Sequence, residues 1–375
     1  MYTDIPLWLS ILFLVGGLYL VAKSADVFID SAASVATALG VNPFIIGMVV
    51  IGFGTSAPEL CVSALSGFSG HSNVSLGNAY GSCSFNIALI LGVAAMIRPI
   101  VVRSANALVA ALVLAAISVF SCVLVGLGDG FSRCDGVVTL AAFAVLLPLY
   151  CLYDQKMKGG AKTIGEDCRS PSAECSKRKG LGKASVMLLV GLLGLVGSSH
   201  VLVWGAVDLA RAMGVSELLI GLTIIAAGTS LPELASAVVS ARKGEHEFVL
   251  GNIIGSNIFN TLGVVGLAGT ISPFKDVSPY ILSRDLPALV LLSLSIGLFG
   301  VNGKDFRQDG RIGRCKGLLW ILSFAAYLGV MIYQECGILA AQDTEEHHSY
   351  GQRAVDRGHR KDTFQGRSAF QVDPA

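Results

Sequence analysis

The stretch Gly54-Thr55-Ser56-Ala57-Pro58-Glu59-Leu60 returns 174 residues later as Gly228-Thr229-Ser230-Leu231-Pro232-Glu233-Leu234. At the same offset and without a gap, Leu76-Gly77-Asn78 falls on Leu250-Gly251-Asn252, Gly81-Ser82 on Gly255-Ser256, and Phe85-Asn86 on Phe259-Asn260. Positions 54 to 93 carry 16 identities in 40, where so apolar a composition alone gives about 4. The chain is a duplication, and its fold has to use one unit twice.

Composition indicates the solvent of that unit. Of 375 residues, 53% are hydrophobic and 14% charged, with 44 glycines and a mean hydropathy of +0.68, well outside the range of a soluble domain. A helix crosses a bilayer core with about 20 mostly apolar residues. Hydropathy marks ten such runs, roughly 5–22, 41–67, 74–97, 105–127, 136–153, 184–206, 215–241, 248–271, 286–302 and 317–334. This predicts an all-α integral membrane protein of ten transmembrane helices in two five-helix halves, 1–153 and 184–334, separated by a polar loop at 154–183. Five is odd, so the second half crosses in the opposite sense to the first. Such inverted repeats build many secondary transporters, with substrate sites near the midplane where interrupted helices meet.

Charge distribution orients the chain. The 154–183 segment holds Lys156, Lys158, Lys162, Arg169, Lys177, Arg178, Lys179 and Lys183, and the loop before the last span holds Lys304, Arg307, Arg311, Arg314 and Lys316. The 2–3, 4–5 and 6–7 connections hold only Arg133 and Arg211 between them. The positive-inside rule then makes 154–183 cytoplasmic and puts both termini outside a multi-pass protein of the cell inner (plasma) membrane. Residues 335–375, with His347 and His348, read as a disordered tail. Met1 to Val21 lacks a basic n-region and is read as a retained first span. A net charge of +1 gives no field for nucleic acid. The nine cysteines form no CxxC pair, so neither zinc nor a disulfide framework is indicated.

The duplicated motif carries the chemistry. Glu59 is the only charged residue between 44 and 67, Glu233 the only one between 218 and 241, and the companion spans 74–97 and 248–271 contain none. Packing explains repeated glycines but not a carboxylate kept in both copies, and an intramembrane carboxylate costs several kcal/mol unless it faces a partner or a wet cavity. With no Lys or Arg in these spans, the missing positive charge is a proton or an imported cation. Pro58 removes the amide that would bond the Gly54 carbonyl, and Pro232 does the same at Gly228. Thr55 and Glu59 are spaced i, i+4, as are Thr229 and Glu233, so each pair shares a helix face. Asn78, Ser82 and Asn86 step by four along one stripe, and so do Asn252, Ser256 and Asn260. These hard oxygen donors suit Ca²⁺, and equally Na⁺. The partners expected are inorganic cations and the lipid bilayer.

Two copies of GTS-x-PE, each followed by GN-x-x-GS-x-x-FN, resemble the alpha repeats of the calcium/cation antiporter superfamily, and the ten-span layout is similar to its prokaryotic sodium/calcium exchangers of the YrbG type. The resemblance implies an antiporter that exchanges Ca²⁺ for Na⁺ by alternating access, with the first and sixth spans as the gating pair. It implies that Glu59 and Glu233 bind the central cation, and that Thr55, Ser56, Ser82 and Asn86 with Thr229, Ser230, Ser256 and Asn260 complete the subsites. Ca²⁺ and Na⁺ are then transported substrates, and no cofactor is implied. The chain departs from the pattern at Asn260, where prokaryotic members often carry Asp, and at Cys83-Ser84, where Asn-Ile is usual.

Rival readings remain at this level. Ca²⁺/H⁺ exchange would use the same glutamates as proton carriers. A channel would need a continuous pore, which an intrachain inverted repeat does not suggest. An intramembrane enzyme would need a base beside Ser56 or Ser230, and neither motif holds a His or Lys. Lys23, Asp26 and Asp30 read as interface residues at the end of the first span, and His200 with Asp208 as a satisfied polar pair.

Overall fold

The computed structural model describes residues 6–68, 72–126, 130–158, 171–213, 226–274, 277–301 and 308–334. The chain divides into Met1–Phe324 and Ala325–Ala375, and the described part of the second unit is the end of one helix.

Apolar runs become helices because lipid offers backbone amides no partner outside the segment. In chain order these are α1 Leu7–Leu39, α2 Pro43–Thr55, α3 Ala57–Phe68, α4 Asn73–Ile97, α5 Ser104–Gly126, α6 Arg133–Lys158, α7 Pro171–Ala212, α8 Ala226–Thr229, α9 Leu231–Lys243, α10 His246–Ile271, α11 Ile281–Gly300 and α12 Arg314–Gln334. Eight of them are long and apolar enough to span a bilayer, or nine spans if α2 and α3, bent by 44° at Ser56, count as one. The seventh expected span, 215–241, falls partly on 214–225, outside the described residues, as does the tail with His347 and His348.

Two expectations change. The first helix does not stop near residue 22 but runs to Leu39, capped by Gly40 at φ 65°, so Lys23, Asp26 and Asp30 lie along it. Helices enter the polar 154–183 segment from both sides, up to Lys158 and from Pro171. The all-helical framework carries one short ribbon besides: β1 Ile100–Arg103 pairs antiparallel with β2 Asp309–Ile312, joining Ile100 to Ile312 and Arg103 to Asp309.

Burial sorts the helices into centre and rim. Every residue in the most apolar window of α10 is buried and 72% in that of α4, against 17% in α1 and α6 and 22% in α7. The helices carrying the duplicated Asn-Ser-Asn stripes are therefore central, while α1 turns Trp8, Leu12, Val15 and Leu18 outward, as a lipid-facing helix must. Beyond the reach of lipid, α2 and α10 cross at backbone contact. A Cβ on Gly251 would stand 2.4 Å from the Phe44 carbonyl and one on Gly255 2.2 Å from the Met48 carbonyl. Only glycines allow this approach, which lays α2 from one half of the chain along the first half of α10 in the other.

Polar residues at the rim have local partners. Lys243, at the end of α9, pairs with Asp30 at 2.7 Å and Asp26 at 3.4 Å on α1. Asp208 accepts a hydrogen bond from Ser10 of α1, and His200 is exposed, so the two do not form the expected pair. Residues eight apart on a helix are about 12 Å apart along its axis. Cys61, Cys83, Cys122, Cys134, Cys151 and Cys315 are free thiols.

Candidate functional site

Each motif breaks a helix at its serine. Ser56 has φ −83° and ψ 6°, and Ser230 φ −91° and ψ 10°, the bridge region in which a chain leaves one helix before starting another. Proline follows as the second residue of α3 and of α9, where a helix has no use for its amide. Glu59 and Glu233 consequently lie in the first turns of α3 and α9, where the helix dipole favours an anion. The companion helices are matched as well. Both α4 and α10 loosen into a π turn, Phe85–Ile90 and Phe259–Val264, at the same 174-residue offset. Asn86 and Asn260 are the second residues of these turns, and such turns gather at functional sites.

The glutamates bond crosswise between the halves. Ser56 donates to Glu233 Oε1 at 2.9 Å, and Ser230 to Glu59 Oε1 at 2.8 Å. Ser82 lies 3.4 Å from Glu59 Oε1 and 3.2 Å from the Ser230 hydroxyl. Thr55 donates to the Ile51 carbonyl at 2.9 Å and lies 3.3 Å from Asn252 Oδ1. Ser256 reaches the Gly52 carbonyl at 3.2 Å. Asn78 Nδ2 is 3.2 Å from the Glu59 carbonyl and Asn252 Nδ2 3.5 Å from that of Glu233. Thr229, ending α8, is half-buried. All twelve residues singled out from the sequence thus lie on the two broken helices and their two companions. Both glutamates, Thr55, Ser56, Ser230, Ser256, Asn86 and Asn260 are at most 1% exposed.

Satisfaction of these groups is uneven. Glu59 Oε2, Glu233 Oε2 and both polar atoms of Asn86 and Asn260 are buried with no hydrogen-bond partner among the described residues. Neither glutamate has an ion pair among them, and no cluster of three or more His, Cys, Asp or Glu occurs there. Buried polar groups are almost always paired, so the four orphan oxygens among these atoms, two of them on carboxylates, mark a place able to receive something positive. Cys83 lies outside this set: its thiol is 3.7 Å from the carbonyl of Asn257, its own repeat counterpart, and 3.5 Å from Thr261 Oγ1. It packs where α4 meets α10. A cavity of about 350 Å³ lined by Phe44, Arg103, Asn106, Glu245, His246 and Asp309 touches none of the twelve residues.

The model of the family described as sodium/calcium exchanger protein matches residues 9–152 and 183–333. The chain belongs to the sodium/calcium exchanger family. That family is one of transporters and not a class of catalysts. The exchanger chain is 36% identical to inner membrane protein YrbG of Escherichia coli over 85% of its own length and 96% of that protein. It is 35% identical to the putative antiporter CaxA of Alkalimonas amylolytica over 84% and 96%. Among solved structures, that of the sodium-calcium exchanger NCX_Mj soaked with 10 mM Na⁺ and zero Ca²⁺ superposes with a TM-score of 0.70 at 32% identity, covering 88% of this chain and 99% of that one. The gap between the two matched segments, 153–182, coincides with the polar segment between the halves.

Sequence reasoning missed one feature of the site, the crosswise bonding of each serine to the other half's glutamate. Hydropathy and spacing hold no signal for it. The residue pairs are 177 and 171 positions apart and meet only because the helices cross.

Proposed function

We propose that this chain is a secondary active antiporter that exchanges Ca²⁺ for Na⁺ by alternating access, at a midplane site made from its two Gly-Thr-Ser-x-Pro-Glu motifs. The observation that carries the reading is the pair of buried carboxylates with no counter-ion among the described residues, each keeping one oxygen that no protein donor meets. A lone buried charge is strongly unfavourable, and Ca²⁺ balances both at once. Ca²⁺ takes roughly 6–8 oxygens. Glu59 and Glu233 supply the charge, Thr55, Ser56, Ser82 and Asn86 serve from the first half, and Thr229, Ser230, Ser256 and Asn260 from the second. Asn78 and Asn252 flank them.

Na⁺ draws on the same oxygens, so occupancy is competitive, and competition combined with alternating access is antiport. With Asn at both 86 and 260 the site has two carboxylates, whose charge one Ca²⁺ cancels. The two empty carboxylates resist transfer through a dry barrier, which discourages uncoupled leak. Ca²⁺ and Na⁺ are transported substrates, with no resident cofactor. The printed names of the relatives, a sodium-calcium exchanger and a putative antiporter, support the reading, and that of YrbG supports the inner membrane.

The deciding experiment is ⁴⁵Ca²⁺ uptake into proteoliposomes under an outward Na⁺ gradient, with and without an imposed potential. Uptake should require internal Na⁺. If three Na⁺ exchange for one Ca²⁺, an inside-positive charge imbalance adds about 2.3 kcal/mol per 100 mV for each net charge moved. Uptake driven by a pH gradient without Na⁺ would replace this reading with Ca²⁺/H⁺ exchange.

Ten helices in two inverted halves, 1–153 and 184–334, with 154–183 cytoplasmic, both termini outside and the tail 335–375 beyond, complete the proposal. The matched helix breaks at Ser56 and Ser230 and the matched π turns support it. Cysteines introduced at Ser72 and Glu245 test it: an impermeant thiol reagent should label the first from outside and the second from the cytoplasm. Labelling of both from one side would rule out the inverted arrangement.

A further inference from the structure

We infer that Asn252 and its repeat counterpart Asn78 are positioning residues that hold the backbones of Glu233 and Glu59, and are not ligands of the cation. The inference rests on the site proposed above and separates two of its twelve residues from the rest.

The four asparagines on α4 and α10 fall into two kinds. Asn86 and Asn260 have amides with no partner among the described residues. Asn252 is equally buried, at 1% exposure, yet its amide is engaged at both ends. Nδ2 lies 3.1 Å from Ser236 Oγ and 3.5 Å from the Glu233 carbonyl. Oδ1 is faced by the hydroxyls of Thr55 at 3.3 Å and Ser256 at 3.5 Å, whose protons divide between it and backbone carbonyls. A side-chain amide has two N–H donors and two lone pairs; both donors have acceptors here, and the lone pairs share the single protons of the two hydroxyls with those carbonyls. Its orientation is set chemically, because the Glu233 carbonyl can only accept and so must face the NH₂ group.

Asn78 makes the same pair of donor contacts, to the Glu59 carbonyl at 3.2 Å and Ser63 Oγ at 3.0 Å. The serines involved are not repeat counterparts. Ser63 corresponds to Ala237 at the 174-residue offset, and Ser236 to Val62. Each half supplies its hydroxyl from a different position, and the asparagine reaches one in both. What the halves share is the contact and not the partner's place in the sequence. That contact ties the first turn of α3 or α9, and with it the carboxylate, to the companion helix bearing Ser82 and Asn86, or Ser256 and Asn260. Supporting partners of this kind hold first-shell ligands at their productive geometry.

Asn252→Asp discriminates the two roles. A ligand using Oδ1 would become a carboxylate, a stronger Ca²⁺ donor, and half-saturating Ca²⁺ would fall or stay level. A positioning donor would lose both N–H groups and set oxygen against the Glu233 carbonyl. We expect half-saturating ⁴⁵Ca²⁺ for equilibrium binding to the purified protein to rise about tenfold or more, in the range by which loss of an outer-shell partner weakens metal sites. Ser236→Ala, a smaller change that keeps the fold, should raise it about two- to fivefold at unchanged binding capacity, because one of the two donor contacts goes. A ligand role for Asn252 predicts no effect there. Parental affinity in Ser236→Ala, or parental or tighter affinity in Asn252→Asp, would overturn the inference. Absence of Ca²⁺ binding by the parent would instead overturn the proposed function.

Discussion

Glu59→Gln and Glu233→Gln should each abolish Na⁺-dependent Ca²⁺ uptake while leaving the protein in the membrane at parental levels. Gln keeps the shape of Glu and an oxygen that accepts from a serine hydroxyl, so the bonds from Ser230 to Glu59 and from Ser56 to Glu233 can persist. What changes is charge. Either substitution removes half of the negative charge that draws a divalent cation into a buried site, and the loss in affinity should exceed the roughly 10–100-fold typical of outer-shell changes. Membrane insertion should not suffer, because a neutral amide is cheaper to bury than a carboxylate. Normal exchange by either variant would refute the assignment of the glutamates. Loss of the protein from the membrane together with activity would point to a packing role instead.

Gly255→Ala should unfold or strongly destabilise the protein although it adds one methyl group. That carbon would lie 2.2 Å from the Met48 carbonyl and 2.7 Å from Met48 Cα, and neither backbone atom can yield without separating α2 from α10. Overpacking typically costs about 1–3 kcal/mol, occasionally more, and here the obstruction is main chain with no rotamer to absorb it. Gly16→Ala on α1 is the control, since a Cβ there meets nothing within 4 Å and alanine favours the helix by about 1 kcal/mol. Thermal unfolding of the purified proteins in detergent checks the pair. Equal midpoints for Gly255→Ala and the parent would mean that the α2–α10 crossing is looser than the geometry states. The separation has a functional consequence too, because the same crossing brings Ser256 to Gly52 and Thr55 to Asn252.

Some helix boundaries were legible along the chain. Membrane helices α4, α5 and α10 begin and end within two residues of the apolar runs, because in lipid a helix must satisfy its own amides and hydropathy alone decides where it lies. The ends of α1 and α7 were not legible. Both helices continue into polar sequence, to Leu39 and from Pro171, where hydropathy no longer sets the boundary. The ribbon between Ile100–Arg103 and Asp309–Ile312 was equally hidden, since its strands are about 200 residues apart and four residues long.

For the site, self-similarity selected the twelve residues, because they form six pairs at the one 174-residue offset. Spacing assigned them to helix faces, and proline to helix breaks, since both are properties of a few consecutive residues. It could not tell Asn252 from Asn260, which share a stripe and a residue type. Only the packed helices separate them, through hydroxyls on α2 and α9 that engage one amide and miss the other. The same holds for the pairing of Ser56 with Glu233 and of Ser230 with Glu59. The local chemistry of this chain was set by its residues in order, whereas partner choice depended on which helices glycine allows to touch.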